Sequence, residues 1–132
     1  MHKSRLCSLG IDCHDADLAV AARFWSAALG RDVAETEGNY AMLADRAGQP
    51  IVFVQRVDHP SRVHLDIETD DVAAEVARLE GLGATRVKQI GTWWVMQAPT
   101  GHRFCVVRAQ RGHRFCVVRA QRGPLGDDAN VW

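Results

Sequence analysis

A chain of 132 residues with 47% hydrophobic content is long enough to bury one core and too short to be read as two ordinary globular domains. Sixteen Lys and Arg balance sixteen Asp and Glu, so no net field draws in a phosphate backbone or an anionic membrane surface, and neither nucleic acid nor membrane is an expected partner. No apolar run approaches the roughly 18–20 residues that span a bilayer, and the opening stretch through Cys13 lacks the apolar segment of a secretory signal, which points to the cytoplasm.

The first predicted strand is Leu6 to Asp12. Asp15 or Asp17 then caps a helix whose apolar positions Leu18, Ala21, Ala22, Trp25 and Leu29 recur at helical spacing, and Gly30 stops it. Short β-prone runs follow at Arg31 to Thr36, Tyr40 to Ala44 and Ile51 to Arg56, separated by turn-rich Glu37-Gly38-Asn39 and Ala47-Gly48-Gln49-Pro50. They predict an antiparallel meander. The pattern then starts again. Arg62 to Glu68 alternates as a strand, Asp70 or Asp71 caps a second helix with Val72, Val76, Leu79 and Leu82 inward, and Gly83 ends it. Thr85 to Ile90, Trp93 to Gln97 and Phe104 to Arg108 complete the set. Strand, helix and three strands, taken twice, with the helices segregated to one face of a largely antiparallel sheet, predict an α+β fold.

Residues 101–111 read GHRFCVVRAQR and 112–122 read GHRFCVVRAQR again. This repeat is far shorter than a solenoid unit and looks like a local duplication of the last strand. One copy is surplus. It is expected as an added edge strand, a disordered tail or an arm exchanged with a second protomer, because an unpaired apolar edge tends to find a partner. A single domain is thus expected over 1–122. The tail over 123–132 has too little apolar content to pack alone and is expected to be disordered or lightly docked. Cys7, Cys13, Cys105 and Cys116 have spacings that suit strands rather than metal or disulfide motifs, and are expected as reduced thiols.

Two βαβββ modules with a helix that carries Phe-Trp and ends in a Leu-Gly turn resemble the glyoxalase-like domains of the vicinal oxygen chelate superfamily. The segments AARFWSAALGRDV, VFVQRVDHPSRVHLDIETDDVAAEVARLEGLGATRV and WWVMQAPTGHRFCVVR carry the likeness, which covers about residues 6 to 108. The resemblance implies two modules curled around a shared cavity, often with dimer formation. It also implies ligand positions for a divalent metal on the first, fourth, fifth and last strands. These fall at Ser8 or Gly10, at Val54 or Gln55, at His64, which precedes Asp71 by the family's spacing, and at Cys105 where the family has Glu. One imidazole with an amide and a thiol does not make the usual His-carboxylate shell. No metal or other cofactor is therefore expected, and His64 is the best candidate should a divalent metal bind.

On an alternating strand Asp66 shares a face with His64, so the two form a candidate acid/base couple or a structural ion pair. Cys105 reads as a packed small hydrophobe more readily than as a nucleophile. His14 lies among Asp12, Asp15 and Asp17, but those aspartates also suit a helix start. His102 and His113 read as turn residues. Trp93 and Trp94 are adjacent on one strand, so one faces in; with Phe53, Trp25 and Tyr40 it can wall an apolar pocket. The expected ligand-binding residues are His64, Trp93, Trp94, Phe53, Gln55 and Cys105.

These residues predict a small-molecule binding protein with an aromatic-lined pocket and no metal. The alternatives are a metal-dependent lyase, isomerase or dioxygenase of the same superfamily, and an interaction module built on the duplicated strand. The expected partners are an unidentified small molecule and a second copy in a homodimer, strand-exchanged through the repeat.

Overall fold

The computed structural model describes residues 1–15, 17–109, 125–126 and 128–132. The elements run β1 (Lys3–His14), α1 (Leu18–Leu29), β2 (Val33–Glu37), β3 (Tyr40–Leu43), β4 (Ile51–Val57), β5 (Arg62–Thr69), α2 (Val72–Gly81), β6 (Thr85–Ile90), β7 (Trp93–Gln97), β8 (Arg103–Arg108) and β9 (Asn130–Val131). The fold is α+β, with mixed strand pairing and two helices. The chain divides into two units, Ser8–His64 and Met1–Cys7 with Leu65–Trp132.

In the unit Ser8–His64 the strands lie in the order β2-β3-β4-β1. β2, β3 and β4 pair antiparallel, as the turn residues predict. β4 then lies parallel to β1, with Gly10 beside Phe53 and Asp12 beside Gln55. Asp17 caps α1 by accepting from the Ala19 N–H at 2.9 Å, and Gly30 closes it in the left-handed region at φ +68°. The helix packs Ala22 on Ala41 and Val54, with Cys13, Leu18, Ala21 and Trp25 at the margin. Leu29, expected in the same buried stripe, is exposed at the terminal turn.

In the other unit the order is β5-β8-β7-β6. β5 and β8 are parallel, and β8, β7 and β6 antiparallel. Asp71 caps α2 through the Ala74 N–H at 3.0 Å. Val76, Leu79, Ala84, Met96, Phe104 and Val106 form the core, with Ile67, Val72, Trp94 and Ala98 against it. Leu82 was expected to point inward but is exposed at the C-cap, just past the end of α2 at Gly81. The first copy of the repeat fills β8. The second copy, with His113 and Cys116, lies outside the described residues.

The described part of the tail is lightly docked, one of the two expected outcomes. Although poor in apolar residues, it adds β9 antiparallel to the start of β1, pairing Lys3 with Val131 and Ser4 with Asn130. Beneath it the Arg5 guanidinium donates to Glu68, and both side chains are buried. The Cys7 thiol, fully buried, is pushed up by burial and then by Glu68 and Asp66, so it stays protonated and inert.

Glu75 on α2 is also fully buried and accepts from Arg78 Nε and Nη2 at 2.8 and 2.9 Å and pairs with His2 Nε2 at 2.8 Å. Burial alone would raise this carboxyl. The hydrogen bonds from Arg78, His2 and Ser4 and the Arg78 charge outweigh it and hold the carboxyl below its ordinary value. A depressed carboxyl contributes stability above its unfolded pKa and loses it as pH falls through the folded one. The melting-temperature gap between the wild-type protein and Glu75→Gln is therefore expected to be widest near neutrality and to shrink below about pH 4.5, the ordinary carboxyl range. A gap that stays constant into acid would contradict this.

Candidate functional site

The alternation of β1 puts Ser8, Gly10 and Asp12 on the sheet face opposite α1. Their neighbours in register, Ile51, Phe53 and Gln55 on β4 and then Met42 and Tyr40 on β3, share that face. His64, at the end of this unit, joins them. Its Nδ1 lies 3.0 Å from Asp12 Oδ2, and its ring meets Phe53 edge-on with centroids 5.6 Å apart. Tyr40 and Phe53 make a second edge contact at 6.2 Å, and Gln55 Nε2 donates to the Tyr40 hydroxyl at 3.4 Å.

Asp12 is the electrostatic centre of this face. Its side chain is 4% exposed, and besides His64 it attracts Arg62 Nε at 3.8 Å and His59 Nε2 at 3.9 Å. Oδ1 has no hydrogen-bond partner among the described residues. The contact at Nδ1 orients the His64 ring, with Nε2 on its far side. Gly10 permits this arrangement. A Cβ at position 10 would lie 2.3 Å from His64 Cε1, 2.6 Å from Nε2 and 2.6 Å from Phe53 Cζ.

The structure thus brings together His64, Phe53, Gln55 and Tyr40 from the sequence reading, and adds Asp12. Sequence reasoning placed Asp12 with the helix-start aspartates; Asp17 alone makes the cap, and exposed His14 pairs with exposed Asp15 at 3.0 Å. The alternation of β1 was the signal that separates Asp12 from them. The carboxylate at His64 Nδ1 is Asp12. Asp66 is buried in the other unit and lies in register with Cys105 on β8. Cys105 is in turn in register with Val95, so Trp93, two residues before Val95, shares its face. Trp94 faces the other way and packs, partly buried, against the α2 core with the Arg86 guanidinium 5.0 Å from its ring, and Trp25 of α1 packs, partly buried, against Ala22, Ala41 and Val54. His102 serves its turn, accepting the Ala98 N–H at its carbonyl at 2.8 Å.

A divalent metal fits the donors of the unit Ser8–His64 poorly. Gly10 at the first-strand position has no donor and is crossed by the His64 ring. The hydrogen bonds of His64 Nδ1 and Gln55 Nε2 involve neither His64 Nε2 nor Gln55 Oε1, the atoms that would ligate, and within this unit those two atoms are fewer than the three protein ligands of a catalytic metal.

The family model of the glyoxalase-like domain matches residues 8–107. Among solved structures, methylmalonyl-CoA epimerase from Mycobacterium tuberculosis aligns with TM-score 0.62 at 19% identity, over 80% of this chain and 88% of that one. A hypothetical protein from Bacillus halodurans aligns at 0.62 and 9% identity, over 84% and 98%. The Mn(II)-bound glyoxalase from Novosphingobium aromaticivorans aligns at 0.60 and 17% identity, over 82% of this chain and 40% of that one. At these identities the solved structures carry the fold alone, and no curated protein matches the sequence. A family match over most of the chain, on a strand-helix-three-strand order taken twice, shows that this chain belongs to the glyoxalase-like domain family of the vicinal oxygen chelate superfamily.

Proposed function

We propose that the chain is a glyoxalase-like small-molecule binding protein that works without a metal. Its ligand lies on the face of Tyr40, Phe53 and Gln55 and is oriented by the Asp12–His64 pair. That pair is the observation that carries the reading: a buried carboxylate orients an imidazole beside an apolar ring wall, which is the combination of apolar surface and few fixed polar groups that small-molecule sites use. Trp93 and Cys105 belong to the proposal as a second face in the other unit. A cytoplasmic location is supported by Cys7, Cys13 and Cys105, which form no disulfide among the described residues. Self-association is supported by Val20 and Phe24, exposed on α1.

A thermal-shift screen of flat, partly polar small molecules tests the reading. Ligands that raise the melting temperature of the wild-type protein are expected to lose that effect in Asp12→Asn and His64→Ala. Hits that shift both variants as much as the wild type would sink it.

A second reading, an enzyme that moves a proton at His64, is favoured by the same contact, since an imidazole oriented by a carboxylate is a general base. It serves lyase or isomerase chemistry; the metal-dependent forms of these, and a dioxygenase, would need a divalent metal at His64. Because an epimerase is among the structural neighbours, methylmalonyl-CoA in deuterated water is a direct probe. Deuterium entering its α-carbon, and lost in His64→Gln, would favour catalysis over binding.

A further inference from the structure

Residues 128–132 are held by contacts to His2, Lys3, Ser4, Arg5 and Arg78. Trp132 exchanges both backbone hydrogen bonds with His2, at 3.1 and 2.8 Å, and β9 adds its two pairs to the edge of β1. The Trp132 indole Nε1 donates to Ser4 Oγ at 2.9 Å, and the Arg78 guanidinium sits 3.7 Å over the ring. Asp128 takes Arg5 Nη1 on both carboxylate oxygens at 2.7 Å. Yet the Trp132 and Asp128 side chains remain about half exposed, at 46% and 54%. They sit on the unit rather than inside it.

We propose that the edge of β1 with Ser4, Arg5 and Arg78 is a docking groove for an Asp-x-x-x-Trp peptide, occupied here by the chain's own tail and able to take the same segment of a second copy. The recognition is strand addition. Main-chain pairing gives the register, while one cation for the carboxylate and one for the aromatic ring give the choice of peptide. A released tail would leave the Lys3–Ser4 edge unpaired, and an open edge is a template for another chain. Tethering raises the local concentration of the chain's own tail to about the millimolar range, so the tail of a second copy competes only when the groove's own tail is weakened or the protein is concentrated.

The test uses the full-length chain and the labelled peptide acetyl-Asp-Ala-Asn-Val-Trp-amide as the stand-in for a second copy's tail. The double variant Asp128→Ala, Trp132→Ala opens the groove without touching it. The peptide is expected to bind this variant saturably, to need at least about tenfold more protein with its own Trp or Asp replaced by Ala, and to bind the wild-type chain at least about tenfold more weakly because the tethered tail competes. Three results would each overturn the proposal. One is no saturable binding to a variant that melts like the wild type. Another is equal binding to both chains. The third is loss of cooperative melting in the variant, which would make the tail a fixed strand.

Discussion

Replacing Gly10 by Ala is expected to cost about 1–3 kcal/mol, the usual penalty for forcing a methyl into a packed site. At this chain length that lowers the melting temperature by roughly 3–10 °C. The added Cβ would meet His64 Cε1 at 2.3 Å and Phe53 Cζ at 2.6 Å, distances no relaxed structure keeps. Moving the imidazole away breaks its hydrogen bond to Asp12, so every ligand that depends on the pair is expected to lose its thermal shift as well. Adding His64→Ala to Gly10→Ala should recover part of the stability, since one of the two clashes is then gone, but none of the ligand effect. Non-additivity of this sign is what contacting residues show. Gly81→Ala is the control: nothing lies within 4 Å of its Cβ position, so it should be neutral or slightly stabilising. Additive behaviour of Gly10→Ala and His64→Ala would mean the two do not share the space.

Arg5→Met is expected to be among the most damaging single changes in the chain. It leaves the Glu68 carboxylate, about 1% exposed, without its cation, and breaking a buried ion pair from one side costs about 3–5 kcal/mol. Glu68→Leu should cost a similar amount for the mirrored reason, softened by Asp128, which still holds Arg5. The double variant Arg5→Met, Glu68→Leu should regain most of the loss, because two apolar side chains of similar volume leave no charge behind. Chemical denaturation of the four proteins closes this cycle. Losses that simply add would show that the pair contributes nothing as a pair.

Much of the fold was legible because its signals are local. Asp17, Gly30, Asp71 and Gly83 mark helix ends, and period-two alternation marks β5 and β8. The misses have physical causes. Leu82 fits a helical spacing, but the helix had already stopped at Gly81. The tail reads as too polar to pack alone, and it docks lightly through a two-residue ladder, one carboxylate and one indole on Arg5, Ser4 and Arg78. Of the site, His64, Phe53 and Gln55 were legible from strand alternation and the family likeness. The Asp12–His64 pair was not. It joins residues 52 positions apart, and nothing local in the sequence marks Asp12 as a partner of His64. Trp94 illustrates the same limit: adjacent aromatic residues on a strand must face opposite ways, but only the packing of α2 decides which of them is core.

The central claim is that the polar centre of this site is a hydrogen-bonded Asp12–His64 pair and not a metal shell. Elemental analysis of protein purified without a metal-affinity step, beside the same measurement on His64→Ala, tests it most directly. The account predicts far less than one divalent metal per chain in both proteins. About one metal per chain in the wild type, lost in His64→Ala, would contradict it and make His64 a ligand.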